Sequence, residues 1–166
     1  EIFHMYKVQR SVPAGSVEHH AQRRQGASGE NVAVDEVHRA PCLGSRVNRG
    51  TPECPGLVFG LDRGGSCRGV VYRLAGEQVP HYFPALWERE MSTGAYLPRW
   101  INCTADTGTV RALVFIMNRS NPAYIRALPE AELLAIVRRA AGRYGPCTDY
   151  VVQTAQALRA AGIHDA

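Results

Sequence analysis

The sequence predicts an α+β domain, a small antiparallel or mixed sheet with a barrel-like curl and two or three helices packed on it. Three observations carry this. Short apolar segments with two-residue alternation run up to residue 117, the apolar period then lengthens to that of a helix, and glycine-bearing turns separate the segments. A chain of 166 residues is long enough to bury a core and short enough to be one domain. Residues 1–166 are therefore read as a single domain, with a clearly patterned region over 37–163 behind a poorly patterned segment over 1–36.

Taken in order, residues 2–8 are compatible with a strand. Residues 15–29 are polar and include Gln22-Arg23-Arg24-Gln25-Gly26-Ala27-Ser28-Gly29, which reads as loop. Residues 31–37 alternate weakly, as a strand does. Residues 56–61 form a strand, Asp62-Arg63-Gly64-Gly65 a hairpin turn with glycines supplying positive φ, and residues 67–74 the returning strand. Pro84 suits the first turn of a helix that carries Trp87 and Glu90 into a turn at Gly94. Two further strands, 96–103 and 109–117, are joined by Ala105-Asp106-Thr107-Gly108. A helix beginning at Pro129 presents Leu133, Ile136, Val137 and Ala140 on one face and ends near Gly142. The last helix takes Thr148 as its N-cap, Asp149 in its first turn, and Val151, Ala155, Leu158 and Ala161 as its apolar stripe, with Gly162 closing it.

Composition excludes several functions. No apolar run approaches the ~20 residues that cross a bilayer, and residues 1–5 lack the charged-then-apolar pattern of a secretory signal. The chain begins on Glu1, which leaves room for an upstream segment. The net charge is +4, nearly all of it arginine, and Lys7 is the only lysine. Basic residues cluster only at Arg23-Arg24 and Arg138-Arg139, without interleaved aromatics, so a nucleic-acid-binding module is a remote alternative. The five cysteines include no C-x-x-C pair, and the adjacent His19 and His20 point different ways on regular structure. A metal site is not expected, and the thiols read as reduced, in a cytoplasm. The oligomeric state is not encoded in any pattern of this kind.

One residue carries a chemical signal. At about 100° per residue, Glu90 falls between Leu86 and Trp87 on one helix face. A carboxylate in an apolar stripe is costly unless it is paired or has a task, and burial moves a carboxylate's pKa towards the range useful for proton transfer. Pairing with Arg89, Arg73 or Arg99 is the alternative explanation, because structural ion pairs occupy such positions too.

An ordered set of short motifs resembles the ChaC family of γ-glutamylcyclotransferases. It consists of Arg49-Gly50-Thr51-Pro52, Pro55-Gly56-Leu57-Val58, Gly69-Val70-Val71-Tyr72-Arg73, Arg89-Glu90 with Gly94 and Tyr96, Asn118-Arg119-Ser120-Asn121-Pro122-Ala123-Tyr124, and Gly142-Arg143 with Gly145 and Tyr150. The resemblance covers residues 37–163. It implies a small mixed β-barrel with flanking helices and an enzyme without cofactor. The implied reaction cleaves glutathione, or another γ-glutamyl peptide, into 5-oxoproline and, for glutathione, cysteinylglycine. It implies Glu90 as general acid/base, with Tyr96 and Tyr150 lining the substrate pocket. Arg49 is a candidate for the substrate carboxylate, and Tyr6 for the family's N-terminal tyrosine. The sequence departs from the pattern at four places. The Tyr-Gly-Ser-Leu segment is absent, its nearest counterpart being Tyr6-Lys7-Val8. Pro41 stands where an aromatic is expected, Gly44 where a tryptophan is expected, and Cys147 where an asparagine is expected. A non-catalytic relative that still binds γ-glutamyl compounds is therefore the second reading.

Overall fold

The computed structural model describes residues 2–6 and 29–163. The predicted loop at 15–29, with His19, His20, Arg23 and Arg24, lies outside the described residues except for Gly29, which begins a strand. Nine strands and three helices follow in order: β1 Ile2–Tyr6, β2 Gly29–Val34, β3 Val37–Ser45, β4 Gly56–Arg63, β5 Cys67–Leu74, α1 Val79–Met91, β6 Tyr96–Ala105, β7 Gly108–Met117, α2 Glu130–Arg139, β8 Ala141–Gly142, β9 Gly145–Pro146 and α3 Cys147–Ala160. The larger sheet has the order β1-β5-β2-β6-β7. β1 also meets β7 in parallel at Phe3↔Ala112 and His4↔Leu113, so pairing runs around the sheet and gives it the expected barrel-like, mixed character. β3 and β4 form a separate antiparallel ribbon.

The inward positions of the larger sheet follow the two-residue period. Val32 and Val34, Cys67 and Val71, Ile101, Cys103 and Ala105, and Ala112, Val114 and Ile116 make one buried cluster, joined by Val37 and Leu61 from the ribbon. β7 departs from simple alternation because its last six residues are all buried. Ala112, Val114 and Ile116 fill the sheet's interior. On its other face Phe115 receives the edge of Trp87 from α1, at 6.2 Å between ring centroids, while Met117 fits the space left by Gly60 of β4, where an added Cβ would approach Met117 Cγ to 2.8 Å. A smaller cluster of Leu57, Ala140 and Cys147, flanked by Leu133, Ile136 and Val137, seats α2 and α3 on β4.

Several local expectations are corrected. Asp62–Gly65 does not close a hairpin, because β4 pairs with β3 and β5 pairs with β1 and β2. Gly64 and Gly65 do take positive φ, but the turn hands the chain from one sheet to the other, held by Gly64 N donating to Glu36 O at 2.9 Å. The run at 31–37 is divided by a bend between β2 and β3. α1 begins five residues before Pro84, with Pro80 in its first turn and Pro84 inside it. α2 ends at Arg139, before Gly142. Thr148 does not cap α3. Pro146 occupies the N-cap position, and the Thr148 hydroxyl donates to Val137 O at 3.0 Å, tying α3 to α2. Pro41 sits inside β3 at the register shift between Ala40 and Leu43, where a bulge spares the missing ladder donor. Gly162 closes α3 as expected, at φ +68°, with Ile163 N donating to Leu158 O and Gly162 N to Arg159 O.

The Arg49-Gly50-Thr51-Pro52 segment is a place of backbone-on-backbone contact. An added Cβ at Gly50 would lie 2.1 Å from Gly56 N and 2.5 Å from Ser45 O, and one at Gly56 would lie 2.0 Å from Arg49 O. Gly76, by contrast, has nothing within 4 Å. Overpacking of this kind costs about 1–3 kcal/mol or more. Gly50→Ala is therefore expected to lower the unfolding free energy by about 3 kcal/mol in urea titration, and Gly76→Ala to change it by less than about 0.5 kcal/mol.

Candidate active site

The local sequence explains where Glu90 stands. α1 runs out at Met91, Gly94 takes φ +64°, and the chain reverses directly into β6 at Tyr96. Glu90 and Tyr96 are therefore brought to the same region by a turn that only glycine enters without strain. α1 buries none of its residues fully. Trp87 anchors it, packing on Phe115 and, at 5.5 Å, on Phe83. The Glu90 side chain keeps 17% of its surface exposed, against 39% for Arg89.

Glu90 is paired. Arg89 donates Nε and one terminal nitrogen to the same oxygen, Oε1, at 3.0 and 2.7 Å. The ion-pair explanation allowed by the sequence is thus realised, with Arg89 rather than Arg73 or Arg99. Its strength decides whether that excludes a chemical task. Arg89 is more than one-third exposed, and exposed pairs contribute about 0–1 kcal/mol. A pair this weak orients the carboxylate without withholding it from a ligand.

The Tyr96 phenol lies within reach of the Glu90 charge, and Tyr150 lies near Tyr96. Burial pushes the Tyr96 hydroxyl well above the ordinary tyrosine range, and the charges of Glu90, Tyr150 and Cys42 push it the same way against the opposing effect of Arg89. Tyr150 is only 2% exposed. Its hydroxyl accepts a hydrogen bond from Phe59 N at 3.0 Å, and burial raises its pKa to about 12. Both phenols therefore stay protonated at neutral pH.

Arg49 reaches the same group from the other side. Its guanidinium lies over the Tyr150 ring, 5.3 Å from the centroid, and donates to Tyr144 O. The residue is 4% exposed, yet among the described residues no carboxylate pairs with it. A buried cation with donors to spare is costly unless an anion joins it. Tyr6 ends β1 opposite Val70, and its side chain lies outside the described residues. Cys147 is inert in this setting. It is fully buried, its sulfur exchanges hydrogen bonds with Leu57 N and O, and burial raises its pKa. All five cysteines are free thiols. Among the described residues, no three His, Cys, Asp or Glu side chains are grouped to hold a metal.

The chain as a whole has relatives among known proteins. A model of the ChaC-like protein family matches residues 14–166. The chain belongs to this family. It is 38% identical over 129 residues to the glutathione-specific γ-glutamylcyclotransferase of Escherichia coli K12, covering 77% of this chain and 56% of that protein. It is 27% identical over 124 residues to the human glutathione-specific γ-glutamylcyclotransferase 1, covering 72% of this chain and 56% of that protein. The chain thus spans little more than half the length of these ChaC-like relatives. The crystal structure of a yeast γ-glutamyl cyclotransferase specific to glutathione superposes with a TM-score of 0.76 at 15% identity, covering 95% of this chain and 86% of that one. The fold is the one the family resemblance implied.

Sequence reading missed Asp62, which it assigned only to a turn. This carboxylate is 5% exposed and accepts from Arg119 Nε, the Tyr124 hydroxyl and its neighbour Arg63 N, each at 2.8 Å. Burial pushes its pKa up, but these hydrogen bonds and the Arg119 charge outweigh burial and hold it below the ordinary carboxylate value. The only signal lay in distant residues, Arg119 and Tyr124, that local patterning does not connect to Asp62. Because the folded-state pKa is the lower one, the carboxylate stabilises the fold fully above the unfolded value of about 4 and loses that contribution as pH falls through the folded value. Asp62→Asn is accordingly expected to be less stable than the parent at pH 7, with the gap in unfolding free energy narrowing as the pH is taken below about 4.

Proposed function

We propose that this protein is a γ-glutamylcyclotransferase that cleaves glutathione into 5-oxoproline and cysteinylglycine, with Glu90 as the general acid/base. The observation that carries the reading is the half-buried Glu90 carboxylate whose charge acts on the half-buried Tyr96 phenol, with the buried Tyr150 next to Tyr96. The names of the relatives favour glutathione over free γ-glutamyl amino acids.

The chemistry asks little of the protein. The substrate's own α-amine is the nucleophile, so attack on the γ-carbonyl is intramolecular, and holding a bent conformer supplies an effective molarity on the order of 10⁵ M or more. The amine, protonated at neutral pH, gives a proton to Glu90 before or as its nitrogen bonds to the carbonyl carbon. The tetrahedral intermediate then collapses, the carbon–nitrogen bond to the cysteinyl residue breaks as Glu90 returns a proton to the departing nitrogen, and the ring nitrogen, which still carries two protons, gives one to the regenerated carboxylate to leave the neutral lactam. Arg49, buried without a carboxylate, suits a carboxylate of the substrate, and Tyr96 and Tyr150 suit its polar groups as protonated donors. Incoming substrate needs to displace only the weak Arg89 pair. No step calls on a cofactor. Among the described residues no helix is long and apolar enough to cross a membrane, and the free thiols fit a reducing cytoplasm.

A second reading, binding of γ-glutamyl compounds without turnover, is favoured by one observation. The sequence contains no Tyr-Gly-Ser-Leu segment, the stretch whose backbone grips substrate in the resembled family. Turnover of glutathione by the parent protein distinguishes the two, and Glu90→Gln tests the role of the carboxylate. It keeps the side-chain volume and removes the proton acceptor, so 5-oxoproline release should fall by at least 10³-fold, on the order of a lost general base, while glutathione still binds and the circular dichroism spectrum is unchanged. Full activity in that variant would remove Glu90 from the mechanism.

A further inference from the structure

The Asn118–Tyr124 motif has no part in the chemistry above, yet it bonds three successive carbonyls of the turn between Glu90 and Tyr96, those of Thr93, Gly94 and Ala95. Asn121 Nδ2 donates to Thr93 O at 3.2 Å. Asn118 Nδ2 donates to Gly94 O at 3.1 Å, and Asn118 N donates to Ala95 O at 2.9 Å. The two amide oxygens face the other way and order the loop itself, Asn118 Oδ1 accepting from Ser120 N and Asn121 Oδ1 from Ala123 N. That orientation fixes both amide groups, because a flipped side chain would present its NH₂ to a backbone N–H.

The loop's far end is held as firmly. Tyr124 and Arg119 both donate to Asp62 of β4, and Arg119 also donates to Arg63 O. Gly44 N donates to Ala123 O at 2.7 Å, and Ile125 N to Cys42 O at 2.9 Å. At Gly44 an added Cβ would stand 3.3 Å from Ile125 and 3.4 Å from Ala123 O, so a small residue suits the close approach of the loop. The loop thus spans from the β3–β4 ribbon to the turn, and it is the element that relates the two halves of the site, Tyr150 on the ribbon's Phe59 and Glu90 with Tyr96 on either side of Gly94.

We infer that the 118–125 loop is a bracket that sets where Glu90 and Tyr96 stand relative to Tyr150, with Asn118 and Asn121 as positioning residues. The inference rests on Glu90 being the proton-transfer group. It predicts an effect on turnover rather than on binding, because a catalytic carboxylate displaced by about an ångström loses orders of magnitude in rate while substrate contacts elsewhere persist.

Asn118→Asp is the informative variant. It keeps the oxygen that orders Ser120 and replaces the donor facing Gly94 O with an acceptor. Asn121→Ala is the second variant, in case the first fails to fold. The expected result in each is a fall in kcat of tenfold or more with KM for glutathione within about twofold, together with at least tenfold faster hydrogen exchange at the Gly94 and Ala95 amides in protein that remains folded. Unchanged kcat and unchanged exchange would overturn the bracket, as would a loss of kcat no larger than the fraction unfolded. If the parent protein releases no 5-oxoproline, it is the proposed function that fails, and the exchange rates alone decide the bracket.

Discussion

Six consecutive residues of β7, from Ala112 to Met117, are buried, so this end of the strand has no solvent face. One side closes the interior of the larger sheet, and the other receives α1 through Trp87 on Phe115 and the β3–β4 ribbon through Gly60 on Met117. Removing that double burial would free both the helix that carries Glu90 and the ribbon that carries Phe59, the backbone partner of Tyr150. The site lies between two elements that touch mainly through one strand, which is why a loop emerging directly from the end of β7 is well placed to fix their relation.

The electrostatics of the site follow from this packing. Tyr96 and Tyr150 are dry enough for burial to dominate their titration, and Arg49 is buried without a counter-ion among the described residues. Glu90 and Tyr96 keep partial access to water, and Arg89, the partner of Glu90 among the described residues, is exposed. Such an arrangement suits an anionic ligand that brings its own amine. Its carboxylate answers the unpaired guanidinium, and its ammonium group competes with Arg89 for Glu90.

Legibility in the sequence divided along physical lines. Strands and helices with a strong apolar period were readable, as were the positive-φ glycines at 64, 65, 94 and 162, because both signals are local. Glu90 stood out because a charge interrupted an apolar face. What could not be read was tertiary. The glycine turn at 64–65 looks the same whether it closes a hairpin or passes the chain between sheets. Thr148 had the chemistry of a cap but found a carbonyl on α2, and Pro84 was tolerated inside a helix whose start came earlier. Asp62 and the two asparagines were invisible for the same reason, since their partners lie 24 to 62 residues away.

The central claim is that a half-dry carboxylate lets a bent γ-glutamyl arm cyclise on its own amine. The most direct measurement is incubation of the folded protein with glutathione, following 5-oxoproline and cysteinylglycine together. The account predicts that both accumulate with time in equal amounts and without added cofactor. Glutathione recovered intact from protein that is demonstrably folded and binds it would contradict the account, and would leave a γ-glutamyl-binding relative in its place.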